Sequence, residues 1–211
     1  MKKLLLILAF AGLVSACGDD DSGEAKGPKP ITVEWEQNGV TETRTFTYDD
    51  KDRISSVALD DQLIVFTYNE KNKVAKLTLD QDEFVFNYEG NTLVSLSSGQ
   101  DQQIPITSLG DNAFTYAGVP FSRNSVGDWS TLSIASYTYK SGKGVFANVR
   151  HLDLFALYLV DNQSYLYASK KRISALSGEG QTYPFLASDG QSGLPATANI
   201  FDRTFTFTYL E

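Results

Sequence analysis

The chain is short of the residue types that most often carry chemistry. Its 211 residues include one cysteine, one histidine and one methionine. A lone cysteine excludes an internal disulfide. One thiol and one histidine leave a zinc or copper site almost without sulfur and nitrogen ligands, so no metal and no cofactor is expected. Basic residues are the minority, 18 Lys and Arg against 26 Asp and Glu, for a formal net charge of −8. That balance disfavours nucleic acid as a partner, and it disfavours electrostatic attachment to an anionic membrane, because both rely on clustered Lys and Arg. Long apolar runs are missing as well, except from Leu4 to Val14. That run is far shorter than the ~20 residues a membrane-spanning helix needs.

The start of the chain instead has the form of an export signal. Met1-Lys2-Lys3 is basic, the apolar run follows, and Val14-Ser15-Ala16-Cys17 supplies a small-residue cleavage site ending on the only cysteine. Leu13-Val14-Ser15-Ala16-Cys17 resembles the lipobox of bacterial lipoproteins, in which the thiol is acylated and becomes the new N-terminus. The resemblance implies a signal peptide over 1–16 and lipidation of Cys17 with palmitate-type chains, the membrane being a partner through that lipid. An ordinary signal-peptidase cut is the alternative, and it would strand Cys17 as a lone reactive thiol. Residues 17–30 hold Asp19, Asp20, Asp21 and Glu24 with almost nothing apolar, and read as a flexible tether. An acidic run after a lipidated cysteine is similar to the surface-export signal of lipoprotein-rich Gram-negative bacteria; a merely solvated linker fits equally. The expected location is the outer membrane, with surface and periplasmic orientations both open.

Residues 31–211 suit one domain. Phe46-Thr47-Tyr48, Phe66-Thr67-Tyr68 and Phe86-Asn87-Tyr88 recur at a spacing of 20 residues. Polar turns follow each tyrosine, and Asp60-Asp61, Gln81-Asp82 and Gly99-Gln100 reverse the chain again, so each repeat is one β-hairpin. Val57, Leu59, Phe66, Leu77 and Phe86 keep a two-residue period against Ser56, Thr67, Lys76 and Asn87, which buries one face. Leu63-Ile64-Val65-Phe66 is apolar on both faces and predicts either a cover or an exposed patch. Asn112–Tyr116, Tyr137–Tyr139 and Thr204–Tyr209 are looser copies. The expected fold is mainly β, a large curled antiparallel meander of about a dozen strands, partly closed like a barrel. Spacing of three to four among Phe146, Val149, Leu152, Phe155 or Ala156, and Leu159 predicts a helix over 145–160 that covers the apolar face.

The lipobox with its tether, the repeated Phe-Thr-Tyr, Leu166-Tyr167-Ala168-Ser169-Lys170-Lys171 and the closing Phe-Thr-Tyr strand resemble an uncharacterised lipoprotein family, domain of unknown function 4595, described as having a porin-like fold. The resemblance implies a curved antiparallel sheet and brings no activity or catalytic residue. The hairpins also look like tyrosine-aspartate repeats of large toxin-enclosing shells, although Asp52 and Asn72 stand where that consensus has glycine. Membrane barrels turn their apolar side to lipid, whereas an anchored, acidic chain with short hairpins is expected to turn it inward.

Catalytic signals are weak. His151 and Asp153 are two residues apart, which on a helix points them in different directions, and no nucleophile elbow accompanies them. The acids Asp60/Asp61 and Asp80/Asp82/Glu83 sit in turns where acids are ordinary. Asp49, Asp50 and Asp52 lack the glycine and distal glutamate of a calcium loop. Aromatics remain: Trp35, Tyr48, Tyr68, Tyr88 and Trp129 are candidate stacking residues for a ligand, with core packing the alternative. The function expected is a noncatalytic envelope module binding a glycan, lipid or protein. A structural or adhesive module without a small ligand comes second and a hydrolase last.

Overall fold

The computed structural model describes residues 27–98, 102–110, 112–190 and 192–210; the expected signal peptide, Cys17, most of the expected tether and the expected reversal at Gly99-Gln100 lie outside them. The first half of the chain forms β1 (Lys29–Gln37), β2 (Val40–Tyr48), β3 (Ile54–Leu59), β4 (Gln62–Tyr68), β5 (Val74–Leu79), β6 (Asp82–Glu89), β7 (Thr92–Ser98) and β8 (Gln102–Gly110). Then come β9 (Ala113–Tyr116), β10 (Val119–Arg123), β11 (Trp129–Leu132) and β12 (Ala135–Lys143). A helix α1 (Leu154–Val160) and a 3-10 turn (Ser164–Leu166) precede β13 (Lys171–Gly178), β14 (Gln181–Pro184), β15 (Leu186–Asp189), β16 (Pro195–Ile200) and β17 (Arg203–Leu210). The first strand thus begins inside the expected tether, because Lys29 and Pro30 already pair with Leu210 and Tyr209.

All seventeen strands belong to one antiparallel sheet. Strands pair with their sequence neighbours through β14, and β17 pairs with both β16 and β1, so the circuit returns on itself. Two corner strands make this possible. In β8, Pro105 pairs with β7 and Ile106 with β9. The run 181–189 pairs with β13 up to Pro184 and with β16 from Leu186, with Phe185 at the bend. The result is a nearly closed barrel. More strands occur than the dozen expected because β9, β10, β11, β14 and β15 are only four or five residues long, too short to leave a readable two-residue period.

One rim consists of two-residue hairpin turns opened by a left-handed residue, among them Asn38 (φ 53°), Asp60 (φ 49°), Asp80 (φ 52°) and Phe201 (φ 55°). Such turns match the twist of the strands they join. The opposite rim carries longer turns, the point where the chain enters at Lys29, and the end of β17. It is called the arch rim below.

Inward positions follow the alternation. Val33 faces Phe207, Trp35 faces Phe205, and Phe46 faces Val57, all buried. Outward positions of β1 and β2, and of β17 as far as Thr208, are threonines and glutamates, with Leu210 exposed only at the end of β17, so these strands offer no continuous apolar band to a bilayer. At Leu63–Phe66 the patch alternative holds, since Ile64 and Phe66 are buried whereas Leu63 and Val65 are 53% and 42% exposed.

The barrel interior is filled by residues 144–170, the connection between β12 and β13. Phe146 packs edge-on to Phe46, Phe155 contacts Phe86, Phe114, Tyr116 and Phe121, and Tyr167 lies against Phe205 and Phe207. Phe146, Phe155 and Tyr167 are fully buried, and each such side chain contributes about 1.5–3 kcal/mol. The expected helix over 145–160 is corrected to seven residues. Residues 144–149 form successive turns, His151 takes the left-handed conformation (φ 47°), and the Asp153 carboxylate caps α1 by accepting from Phe155 N and Ala156 N. The three-to-four spacing recorded burial inside a barrel, which a compact loop satisfies as well as a helix.

Candidate functional site

A single device recurs along the arch rim. In the turns beginning at Asp49, Asn69, Asn124 and Gly190, the first residue's N–H donates to the carbonyl four residues on, and the N–H of the fourth residue donates back to the first carbonyl. In the first three, the side chain of the opening residue also accepts two backbone N–H groups; Asn69 Oδ1 takes those of Lys71 and Lys73 at 2.9 and 3.0 Å. The fourth position is left-handed in each: Asp52 (φ 61°), Asn72 (φ 58°), Gly127 (φ 88°) and Gly193 (φ 71°). Asp and Asn tolerate this conformation, so the absence of glycine in the first two copies leaves the turn intact.

Each arch is tied to the next strand by a tyrosine. Tyr68, Tyr88, Tyr139 and Tyr209 donate their hydroxyls to the carbonyls of Ile54, Val74, Trp129 and Pro195, the residue after each arch, at 2.8, 2.9, 2.7 and 2.7 Å. Burial raises all four phenols well above their ordinary pKa. Cations stack between them, with Lys29 over Tyr48, Arg53 over Tyr68 at 4.1 Å and Lys73 over Tyr88 at 5.5 Å.

This row stops after Tyr88. One repeat beyond Arg53 and Lys73 stands Leu93, and one repeat beyond Tyr88 stands Ser108. The turn between β6 and β7 is a two-residue hairpin, with Gly90 at φ 61°, rather than an arch. Smaller groups in place of a cation, a tyrosine and an arch open a cleft of about 710 Å³ in which Leu93 and Ser108 are both lining residues.

Lys71, Asn72 and Lys73 of the second arch form one wall of the cleft, and Asn91 and Tyr88 the base of the missing repeat. Asn112, Phe114 and Arg123 come from the other side, and Leu152 and Asp153 of the interior segment close the floor. Lys73 Nζ donates to Asn91 O at 2.6 Å and Lys71 Nζ to Gly90 O at 3.5 Å. Arg123 Nη2 pairs with Asp153 Oδ1 at 3.2 Å, and its guanidinium lies 5.6 Å from the rings of both Phe114 and Trp129. The cleft therefore combines amides, hydroxyls, an aromatic edge and three cations. Among the described residues Asp153 is its one carboxylate.

The candidate residues from the sequence are divided by this geometry. Trp35 and Trp129 are 8% and 1% exposed and present no open ring face to a ligand. Tyr48 and Tyr68 are half-buried with their hydroxyls on Pro30 O and Ile54 O. Tyr88 lines the cleft. His151 and Asp153 line it too, but Asp153 Oδ1 is engaged by Arg123 and by two N–H groups of α1. Asp60 and Asp80 are left-handed turn residues on the opposite rim, and Glu83 pairs with Lys76. Asp49 accepts from Lys51 N and Arg53, and Asp52 pairs with Lys29, so these oxygens are already used. Among the described residues no group of three or more His, Cys, Asp or Glu side chains is placed to hold a metal. Sequence reasoning missed Lys71, Lys73, Asn112 and Arg123. The available signal was the break in the 20-residue pattern at positions 93 and 108.

No family model and no curated protein matches the chain. Among solved structures it is similar to a porin-like protein from Bacteroides uniformis ATCC 8492, with 14% identity, a TM-score of 0.44, and coverage of 86% of this chain and 96% of that one. A likeness at that level assigns neither an activity nor a site residue.

Proposed function

We propose that this protein is a lipid-anchored module of the cell envelope, held through Cys17, that binds a glycan noncatalytically in the arch-rim cleft. The observation that carries the reading is the cleft itself, half polar and opened where the repeat fails. A glycan fits better than a lipid. The interior, where an acyl chain would be expected, is filled by Phe146, Phe155 and Tyr167, while the cleft offers Asn72, Asn91, Asn112 and Ser108 to hydroxyl groups and Tyr88 and Phe114 to a sugar face. The filled interior equally argues against conduction. Noncatalysis is supported by the commitment of Asp153 to a helix cap and an ion pair.

Trp129 reports on the cleft through Arg123, which contacts both. Titration of the full chain with envelope and dietary oligosaccharides is expected to give a saturable change in Trp129 fluorescence, retained in Trp35→Phe and absent with phospholipid micelles. Silence with every oligosaccharide would sink the proposal. Incorporation of labelled palmitate, lost in Cys17→Ser, tests the anchor.

A second reading, an adhesive surface module, is favoured by Leu63, Val65 and Val85 on the outside of β4 and β6, which are 53%, 42% and 36% exposed. It predicts that Val65→Lys abolishes adhesion and leaves oligosaccharide binding intact.

A further inference from the structure

We infer that the domain docks on its own membrane through a lysine patch of the arch rim, Lys140, Lys143, Lys170 and Lys171, which takes the headgroups of anionic phospholipids. This rests on the anchor proposed above and adds the orientation of the domain to it. Across β12 and β13, Lys143 stands directly opposite Lys171 and Lys140 opposite Arg172. Like charges facing each other across a ladder destabilise it, so the arrangement calls for a counter-charge. Arg172 has one, Asp189 at 2.5 Å. The four lysines do not: among the described residues no carboxylate lies within ion-pair distance of their ammonium groups. Lys140, Lys143 and Lys171 are exposed. Asp128, the other acid of this sector, is buried and accepts the backbone N–H groups of Lys170 and Lys171 at 2.7 and 2.9 Å. It fixes the position of those two lysines and offsets part of their charge. With Asp128 and Asp189 both counted, Lys140, Lys143, Lys170, Lys171 and Arg172 leave the sector positive.

The other acids of this rim are too distant to cancel the patch. Asp49, Asp50 and Asp52 lie in the turn between β2 and β3, separated from β13 by β1, β17, β16 and the run 181–189, about 24 Å of strand spacings round the rim. Glu70 and Glu89 lie further round, and Asp52 is itself paired with Lys29. The screening length at physiological salt is about 8 Å, so a headgroup at the patch meets the lysines and not the net charge of the chain. Position selects the occupant. The chain enters the sheet at Lys29, on this same rim. The stretch from Cys17 to Lys29 spans at most about 40 Å, so a lipid on Cys17 holds the patch near the bilayer. There each lysine at an anionic surface strengthens association about fivefold.

The test reconstitutes the lipidated full chain into vesicles of phosphatidylcholine alone or with about one-third phosphatidylglycerol, labels lysines with an acetylating reagent and reads each site by mass spectrometry. In the anionic vesicles Lys140, Lys143, Lys170 and Lys171 are expected to react at least about fivefold more slowly than in the neutral ones, with the protection lost at 1 M salt. Lys51 and Lys71, exposed on other arches, are expected to react equally in both. The double variant K140E/K143E is expected to lose the protection of Lys170 and Lys171 while still floating with the vesicles. Lys143→Glu alone removes one of two like charges that face each other, so it is expected to lose part of the protection and to melt no lower than the wild type, which guards against misfolding of the double variant. Equal labelling of the patch in both vesicles would overturn the docking and leave the anchor standing. Failure to float with phosphatidylcholine vesicles would overturn the anchor and the docking together. Protection of Lys170 and Lys171 that survives in K140E/K143E would place the contact elsewhere and end the inference.

Discussion

The hydroxyl of Tyr88 donates to the carbonyl oxygen of Val74, fourteen residues earlier, at 2.9 Å. Tyr68 with Ile54 and Tyr209 with Pro195 keep the same separation. The repeated tyrosine is thus accounted for without a ligand: its ring seals the barrel end and its hydroxyl satisfies the carbonyl that each arch leaves outside the strand ladder.

Tyr68→Phe isolates the hydroxyl from the ring. It is expected to lower stability by about 0.5–1.5 kcal/mol, the net worth of one such hydrogen bond. Tyr68→Ala is expected to lower it by roughly 3 kcal/mol by opening a cavity as well. Urea unfolding of the two variants checks this, and equal losses would show that the hydroxyl contributes nothing.

The same tyrosines set the response to base. Burial raises the phenols of Tyr48, Tyr68, Tyr88, Tyr137, Tyr139 and Tyr209 above their ordinary value. An acid whose pKa is higher folded than unfolded contributes stability that is complete below the unfolded pKa and is lost as pH rises past it. Stability is therefore expected to fall from about pH 10 upward. Absorbance at 295 nm should show these phenols ionising together as near-ultraviolet dichroism collapses. Smooth ionisation near pH 10 with the dichroism retained would contradict their burial.

How much of this was legible in the sequence depends on the length of the pattern. The hairpins through Tyr88 show in the 20-residue repeat and the alternation of Phe46, Val57, Phe66 and Leu77, because both persist over many residues. The arches at Asn124 and Gly190 were not legible, since no Phe-Thr-Tyr precedes them and only backbone hydrogen bonds reveal the match. The helix was overextended because burial inside a barrel imitates amphipathic spacing. The cleft was hidden for a different reason. It is an interruption of a pattern, and its charged lining, Lys71, Lys73, Arg123 and Asp153, comes from segments far apart in sequence.

Gly144 admits residues 144–170 into the barrel. A Cβ there would lie 2.6 Å from the carbonyl oxygen of Lys171, a backbone atom fixed in β13. Gly144→Ala is expected to lower stability by at least about 2 kcal/mol. Acrylamide quenching of Trp129 should rise as the interior segment loosens. An unchanged unfolding midpoint would mean that the strands adjust freely around it.

Arg44 and Asp161 are 5% and 2% exposed, and tie β2 to the interior segment. Asp161 Oδ1 is 3.4 Å from Arg44 Nη2, and Oδ2 accepts from Tyr167 at 2.5 Å. Glu42 also contacts Arg44 at 2.8 Å but is itself 34% exposed, a weaker partner. Removing one member of a buried pair leaves the other charge uncompensated, so Arg44→Met and Asp161→Asn are each expected to cost about 3 kcal/mol. The double variant leaves neither charge, while the amide oxygen introduced by Asp161→Asn still accepts from Tyr167. Its cost is expected to fall about 2 kcal/mol short of the sum of the singles. A double-mutant cycle by urea unfolding measures the shortfall. Strict additivity would show that Glu42 and solvent already neutralise Arg44, and that the interior segment is held by packing alone.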